Sequence, residues 1–194
     1  KTLEAEGIKF SPSSSAFQYS QDKALMREKL AHLPNPKWQV VTEVVDWEYP
    51  AIAKAISGGY DGRGVWKLES KTDLEKLLKE IPKLILEELV DFDFEIAVMV
   101  ARSPHGQGAS WAPTRTVQRD GICIETVTPV PEFNEKQSQA AQDLALKIAD
   151  EIGLVGVMAV EMFVKGDQLL INELALRPHN SGHWTIEEIG RAHV

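Results

Sequence analysis

Residues 155 to 174, VGVMAVEMFVKGDQLLINEL, are two apolar runs joined by a short polar turn with one glycine. That layout is the signature of a β-hairpin, and it commits this part of the chain to antiparallel sheet. The stretch before it agrees. From 84 to 128 the runs LILEEL, FEIAVMVA, WAPTRTVQ and ICIETV read as strands, with no helix long enough to make a parallel crossover. WQVVTEVV, PAIAKAI and VWKL read as strands in the first half. Helices are predicted after the polar breaker SPSSS, ending near Leu33 with Ala24, Leu25, Leu30 and Ala31 as apolar face, and over 71 to 80. A third follows Asn134, whose spacing to Gln137 forms a capping box. Its apolar face is Ala141, Leu144, Ala145, Ile148 and Ile152, and Gly153 stops it. The class expected is α+β.

A chain of 194 residues with 43% hydrophobic content can bury a substantial core. Its net charge of −8 disfavours a nucleic-acid or membrane partner, which would want basic surface. Cys123 is the single cysteine, so no disulfide framework or cysteine zinc site is expected, and its setting in GICIETV reads as a buried, inert thiol. No apolar run is long enough to span a bilayer, and KTLEAEGIKF lacks the layout of a signal peptide. A cytoplasmic setting is the expectation.

Alternation along the hairpin puts Val155, Val157, Ala159, Glu161 and Phe163 on one face, with Glu161 opposite Asn172 or Glu173 of the return strand. Two carboxylates side by side among apolar neighbours repel and lose water. They persist if a proton is shared or a hard cation lies between them, and carboxylates with an amide oxygen suit magnesium. Alternation alone fits equally well a sheet with one glutamate in solvent. Upstream, SGGYDGRG (57 to 64) carries four glycines in eight residues, which lets backbone N–H groups approach an anion. It is neither a Walker loop nor a dinucleotide fingerprint. Lys54, set in AIAKAI, wants a counter-ion such as phosphate, or snorkels from an edge strand. A lysine, a glycine loop, strand-borne acids and the polar tail RPHNSGHW together form the equipment of a magnesium-nucleotide phosphoryl-transfer site.

SGGYDGRG, GVMAVEMFV and above all INELALRPHNSGHWT resemble the ATP-grasp core of the N(5)-carboxyaminoimidazole ribonucleotide synthetase family. The resemblance runs from about Gln21 to Thr185. It implies an ATP-grasp fold in which two α+β subdomains clasp ATP between antiparallel sheets, about 15–87 forming a smaller lid and about 88–194 the larger unit. It implies an ATP- and bicarbonate-dependent ligase of purine biosynthesis that passes a carboxyl group, through carboxyphosphate, to the amine of aminoimidazole ribonucleotide. The cofactors implied are ATP and Mg2+, with Mn2+ as a substitute. By the same resemblance Lys23 and Lys54 contact ATP phosphates, and Gly59, Tyr60, Asp61, Gly62, Arg63, Gly64 and Val65 form a flap over them. Glu87, Glu88, Leu89 and Val90 hold adenine, and Glu95 takes the ribose. Glu161 and Glu173 hold magnesium with Asn172 beside them. Tyr60, Asp61, Arg63, Arg177, His179, Asn180, Ser181 and Gly182 line the bicarbonate and ribonucleotide side. Arg177, Glu173 and Lys54 are the residues expected to carry catalysis.

The chain departs from the family pattern at Leu176, where proline is usual, and at Thr116 and Gln118, where an Asn-x-His pair is common; Gln118 is still expected to hydrogen-bond a phosphate. The spacing of His179 and His183 would suit zinc on a helix, but Pro178 and Gly182 argue against one. The resemblance also implies a nucleotide-fold domain before Lys1, a continuation beyond Thr185 and a homodimer of the full-length enzyme, so that residues 1–194 alone are catalytically incomplete. Two alternatives stand beside this reading: a sister ligase acting on another nucleotide or carrier, and a regulatory module that binds nucleotide without chemistry.

Overall fold

The structure is a computed structural model, which describes residues 2–59, 63–119 and 121–185. The predicted Tyr60, Asp61 and Gly62 lie outside these. Among the described residues two antiparallel sheets carry the fold. The smaller contains β1 (Trp38–Val41), β2 (Ala51–Ala55), β3 (Val65–Leu68) and β4 (Leu84–Glu88), in the order β1-β4-β2-β3. The larger contains β5 (Phe94–Arg102), β6 (Gly108–Ser110), β7 (Thr114–Arg119), β8 (Ile122–Val127), β9 (Gly156–Lys165) and β10 (Gln168–Ala175). Its path is β10-β9-β5-β7-β8, with β6 also paired to β5. The α+β expectation holds.

Each sheet has its own core. Ala51, Ala53, Leu84 and Leu86 alternate onto one face of the small sheet and meet Leu74 and Leu77 of helix α4 (Lys71–Glu80). This is the period-two strand against the helical stripe that the sequence called for. The large sheet turns Ile96, Val98, Val100, Met158, Val160 and Met162 toward helix α5 (Glu135–Glu151), which presents Ala141, Ala145, Ile148 and Ala149. Asn134 and Gln137 form the expected reciprocal capping box, and the helix ends at Gly153 with φ +64°.

Three readings of the sequence are corrected here. Strand β1 stops at Val41 because its partner β4 begins at Leu84, opposite Val41. Val45, Trp47 and Tyr49 reach the small core from an irregular segment instead. The helix before Leu33 is two helices, α2 (Ser14–Gln21) and α3 (Lys23–Lys29), after a short α1 (Thr2–Ala5). Asp22 caps α3 by accepting from Leu25 N. The buried face of α3 is Ala24, Met26, Arg27 and Leu30, whereas Leu25 and Ala31 are exposed. Ala16, Met26, Leu30 and Leu33 join the core of the large sheet, so the helices preceding the small sheet belong by contact to the larger unit.

Asn134→Ala should lower stability by about 1 kcal/mol through loss of the cap, read as an earlier midpoint in urea. An unchanged midpoint would mean that the capping box contributes nothing to α5.

Candidate nucleotide and metal site

The hairpin register sets the site. Glu173 pairs directly with Glu161, and between Ile171 and Glu173 the ladder shifts, leaving Asn172 as an extra residue on β10. The bulge has a consequence that strict alternation would forbid. Ile171 and Leu174 stay in the core, while Asn172 and Glu173, consecutive in sequence, both line the same cleft. Of the two readings that alternation left open, the structure takes the one with facing acids.

The cleft, about 440 Å³, opens between the two sheets. The small sheet contributes Ile52, Lys54, Val65 and the end of β4, from Glu87 through Val90. The large sheet contributes Glu95, Gln118, Glu161 and Phe163, and beyond β10 come Arg177, His179 and Asn180. One wall is apolar, with Phe92 stacked on Phe163 at 4.7 Å between ring centroids. Cys123 lies on this cleft rather than in the core, which corrects its reading as a buried thiol. A smaller polar hollow, about 220 Å³, adjoins it and is lined by Lys23, residues 56–59, Glu173 and Arg177. Predicted residues from distant stretches of the chain thus meet in two connected spaces. Ser181 and Gly182 line neither; both are buried in the 3-10 turn Asn180–Gly182.

The glycine loop joins β2 to β3. Its neck is closed by Ala55 N donating to Gly64 O at 2.8 Å. A Cβ on Gly59 would lie 2.8 Å from the Arg63 carbonyl oxygen, and Gly64 has φ +74°, so both positions demand glycine.

Glu173, Glu161 and Glu87 are each paired with a cation or an imidazole. Lys23 Nζ donates to Glu173 Oε2 at 2.7 Å, and His179 Nε2 lies 2.7 Å from Glu161 Oε1, with its Nδ1 2.8 Å from Ser181 Oγ. Lys54, 7% exposed, lies 2.7 Å from Glu87 Oε2 and donates to Asn172 Oδ1 at 3.0 Å. Glu87 is buried and shared, its other oxygen accepting from Arg27 Nε at 2.8 Å. Burial pushes Glu87 upward, but Lys54 and Arg27 outweigh it and hold the carboxyl at about 2. Glu173 behaves alike: burial raises it, and Lys23 with its hydrogen bond brings it below the usual value. Glu95 goes the other way. Burial, then the nearby charge of Glu161, push it up to about 7 despite Lys54.

Arg27 is the residue that sequence reasoning missed. The signal was present: a charge on the apolar face of α3, four residues after Lys23, is as conspicuous as Lys54 in its strand.

Among the described residues no group of three or more Asp, Glu, His or Cys side chains is gathered as a metal cage. Two facing carboxylates and an amide oxygen are the partial set that magnesium takes when substrate phosphates complete its shell, so the residues fit that ion.

Two antiparallel sheets with a nucleotide-sized cleft between them, lined by a lysine, facing acids and an apolar wall, define an ATP-grasp arrangement. The ATP-grasp domain family matches residues 26–191, and the chain belongs to it. Within that family the chain is 43% identical, over 95% of its length, to the N5-carboxyaminoimidazole ribonucleotide synthase of Mycobacterium bovis. It spans 46% of that relative. In structure it is similar to an ADP complex of an N5-carboxyaminoimidazole ribonucleotide synthetase (TM-score 0.86, 32% identity, 96% of this chain and 52% of that one). It is also similar to the Aspergillus clavatus N5-carboxyaminoimidazole synthase in complex with ADP and 5-aminoimidazole ribonucleotide (TM-score 0.84, 29% identity, 96% and 52% covered). The chain thus spans about half the length of the relatives it matches.

The two perturbed acids predict opposite limbs of a stability profile. Glu87 titrates near 2 when folded and near 4.5 ordinarily, so the unfolded chain takes the proton first as pH falls. Its stabilisation is whole above about pH 4.5 and is lost toward pH 2. Glu95 titrates near 7 when folded, so its contribution is whole below about 4.5 and is lost as pH rises through 7. Glu95→Gln should therefore flatten the decline in unfolding free energy between pH 4.5 and 7 and leave the acid limb intact. The same slope in mutant and wild type would contradict this environment for Glu95.

Proposed function

We propose that this chain is the ATP-grasp core of an ATP-dependent ligase that carboxylates 5-aminoimidazole ribonucleotide, giving N(5)-carboxyaminoimidazole ribonucleotide in purine biosynthesis. The observation that carries the proposal is the cleft itself, where Lys54, Asn172, Glu161 and Glu173 converge beside Arg177 and His179, with Lys23 reaching Glu173 from the adjoining hollow. The 43% identity to a synthase of that name supports the choice of reaction.

In this reading the apolar wall of Phe92, Phe163, Val65 and Leu89 receives the adenine, next to the end of β4. Glu95 accepts from the ribose hydroxyls. Lys54 and Lys23 hold the phosphates, next to Gly59 and Val65 at the two ends of the glycine loop. Glu161, Glu173 and Asn172 would hold Mg2+, or Mn2+ in its place, which neutralises charge on the transferred phosphoryl group. Lys23 then exchanges Glu173 for phosphate. A bicarbonate oxygen attacks the γ-phosphorus and releases ADP, and the carboxyl of the resulting carboxyphosphate passes to the ribonucleotide amine with loss of phosphate. Arg177 lines both spaces, four residues beyond Glu173, and its planar fork suits the carboxyphosphate oxyanion. His179 and Asn180 face the second-substrate side, with Ser181 and Gly182 forming the buried turn beneath them. Gln118, on the cleft wall, donates to a phosphate. Among the described residues no helix is long and apolar enough to cross a membrane; a cytoplasmic setting is part of the proposal. The full-length enzyme is a homodimer in this proposal.

The test is ADP release with bicarbonate and aminoimidazole ribonucleotide, run beside an ATP titration in the full-length enzyme. Arg177→Lys keeps the charge and loses the bidentate fork. Turnover should fall by roughly two to three orders of magnitude, the scale of one preorganised oxyanion donor, with ATP affinity nearly unchanged. Release that ignores the ribonucleotide would refute the substrate, and a mutant that loses ATP binding first would put Arg177 on the nucleotide.

A further inference from the structure

Arg27 is fully buried, with 0% exposure, which is unusual for a residue carrying a permanent charge. Four of its five donors are matched by named partners. Nε donates to Glu87 Oε1 at 2.8 Å, and Nη1 to Asn35 Oδ1 at 2.8 Å and to Ile171 O at 2.7 Å; Nη2 donates to Asn172 O at 3.0 Å. Stability alone does not account for such a group. A buried ion network can commonly be replaced by apolar side chains at no loss. Its partners suggest another use.

The two carbonyls it holds belong to Ile171 and Asn172, where the β10 ladder slips. That slip is what lets Asn172 and Glu173 face the cleft together. Ile171 N is tied from the same side by Pro34 O, and Asn35 Nδ2 donates to the carbonyls of Leu30 and Leu33, so the segment after α3 braces the guanidinium. The third partner, Glu87, is shared with Lys54. Charge counting makes the point. Lys54 and Glu87 alone would be a neutral pair, with little attraction for a phosphate. Adding Arg27 leaves the buried triple one positive charge in surplus, and of the two cations only Lys54 lines the cleft.

We propose that Arg27 is a positioning residue of the site: it pins the β10 bulge that presents Asn172 and Glu173, and it takes up the charge of Glu87 so that Lys54 serves a nucleotide phosphate. The proposal rests on the nucleotide-binding reading above and adds to it a residue that never touches substrate. It also links the small sheet, through Glu87, to the large sheet, through β10, at a single planar cation.

The role makes a distinction that a merely structural one does not. Phosphate-bearing ligands should depend on Arg27; the bare nucleoside, which meets the apolar wall, should not. The experiment uses the full-length protein and compares Mg-ATP, by calorimetry, with adenosine, by ligand-detected NMR. In Arg27→Met, Mg-ATP affinity should fall at least about tenfold, the scale of one charged hydrogen bond, with adenosine affinity held within about twofold. Arg27→Lys should recover part of the loss, since it restores charge without the fork. If neither variant melts cooperatively, Asn35→Ala removes an outer anchor of the guanidinium from a residue that does not line the cleft. It should weaken Mg-ATP by about threefold or more with adenosine unchanged. Mg-ATP affinity that is unaltered in a folded variant, or a loss equal for both ligands, overturns the proposal. Wild-type protein that fails to bind Mg-ATP overturns instead the nucleotide reading beneath it.

Discussion

Glu161 and Glu173 stand opposite each other on neighbouring strands, partly withdrawn from water, and the rest of the molecule is arranged around that repulsion. Like charges in cross-strand register are destabilising unless something positive joins them. Here the join is made from outside the sheet. Lys23, at the start of α3, reaches Glu173, and His179, beyond β10, reaches Glu161. Both partners come from segments that line the cleft or the adjoining hollow, so the compensation is local to the site.

The same logic explains why two small sheets suffice. Each buries one face against its own helix and leaves the other toward its neighbour. What lies between is polar in the middle and apolar at one end, a division suited to a ligand with a charged tail and a flat head. The polar middle is held by few, short, charge-assisted contacts, of which those around Glu87 are the most deeply buried. A nucleotide would add its own charges to a place already balanced, which favours exchange of partners over creation of new ones.

Much of this was legible in the chain before folding. The hairpin 155–174, the helix 71–80 and the capping box at Asn134 each rest on local chemistry, and local chemistry is written in order along the sequence. The opposition of Glu161 to Glu173 was legible to within one residue, because a hairpin fixes register through its turn. The bulge at Asn172 was not, since the guanidinium that binds its carbonyl comes from 145 positions away in sequence. The face of α3 was misjudged for a related reason. Arg27 is buried against Glu87 and β10, partners distant in sequence, and Met26 joins the core of the large sheet beside it. Cys123 failed differently: a strand of mixed pattern, with Ile122 and Ile124 exposed, gives no sign of which face borders a cleft.

The central claim is that the facing carboxylates hold a divalent cation together with nucleotide phosphate. Manganese in place of magnesium makes that visible by electron paramagnetic resonance. In the full-length protein with ATP the account predicts one bound manganese per chain, showing coupling to phosphorus, and a return of the free-ion signal in Glu161→Gln under the same conditions. Manganese held equally well by that variant, or bound without phosphorus coupling, would contradict it.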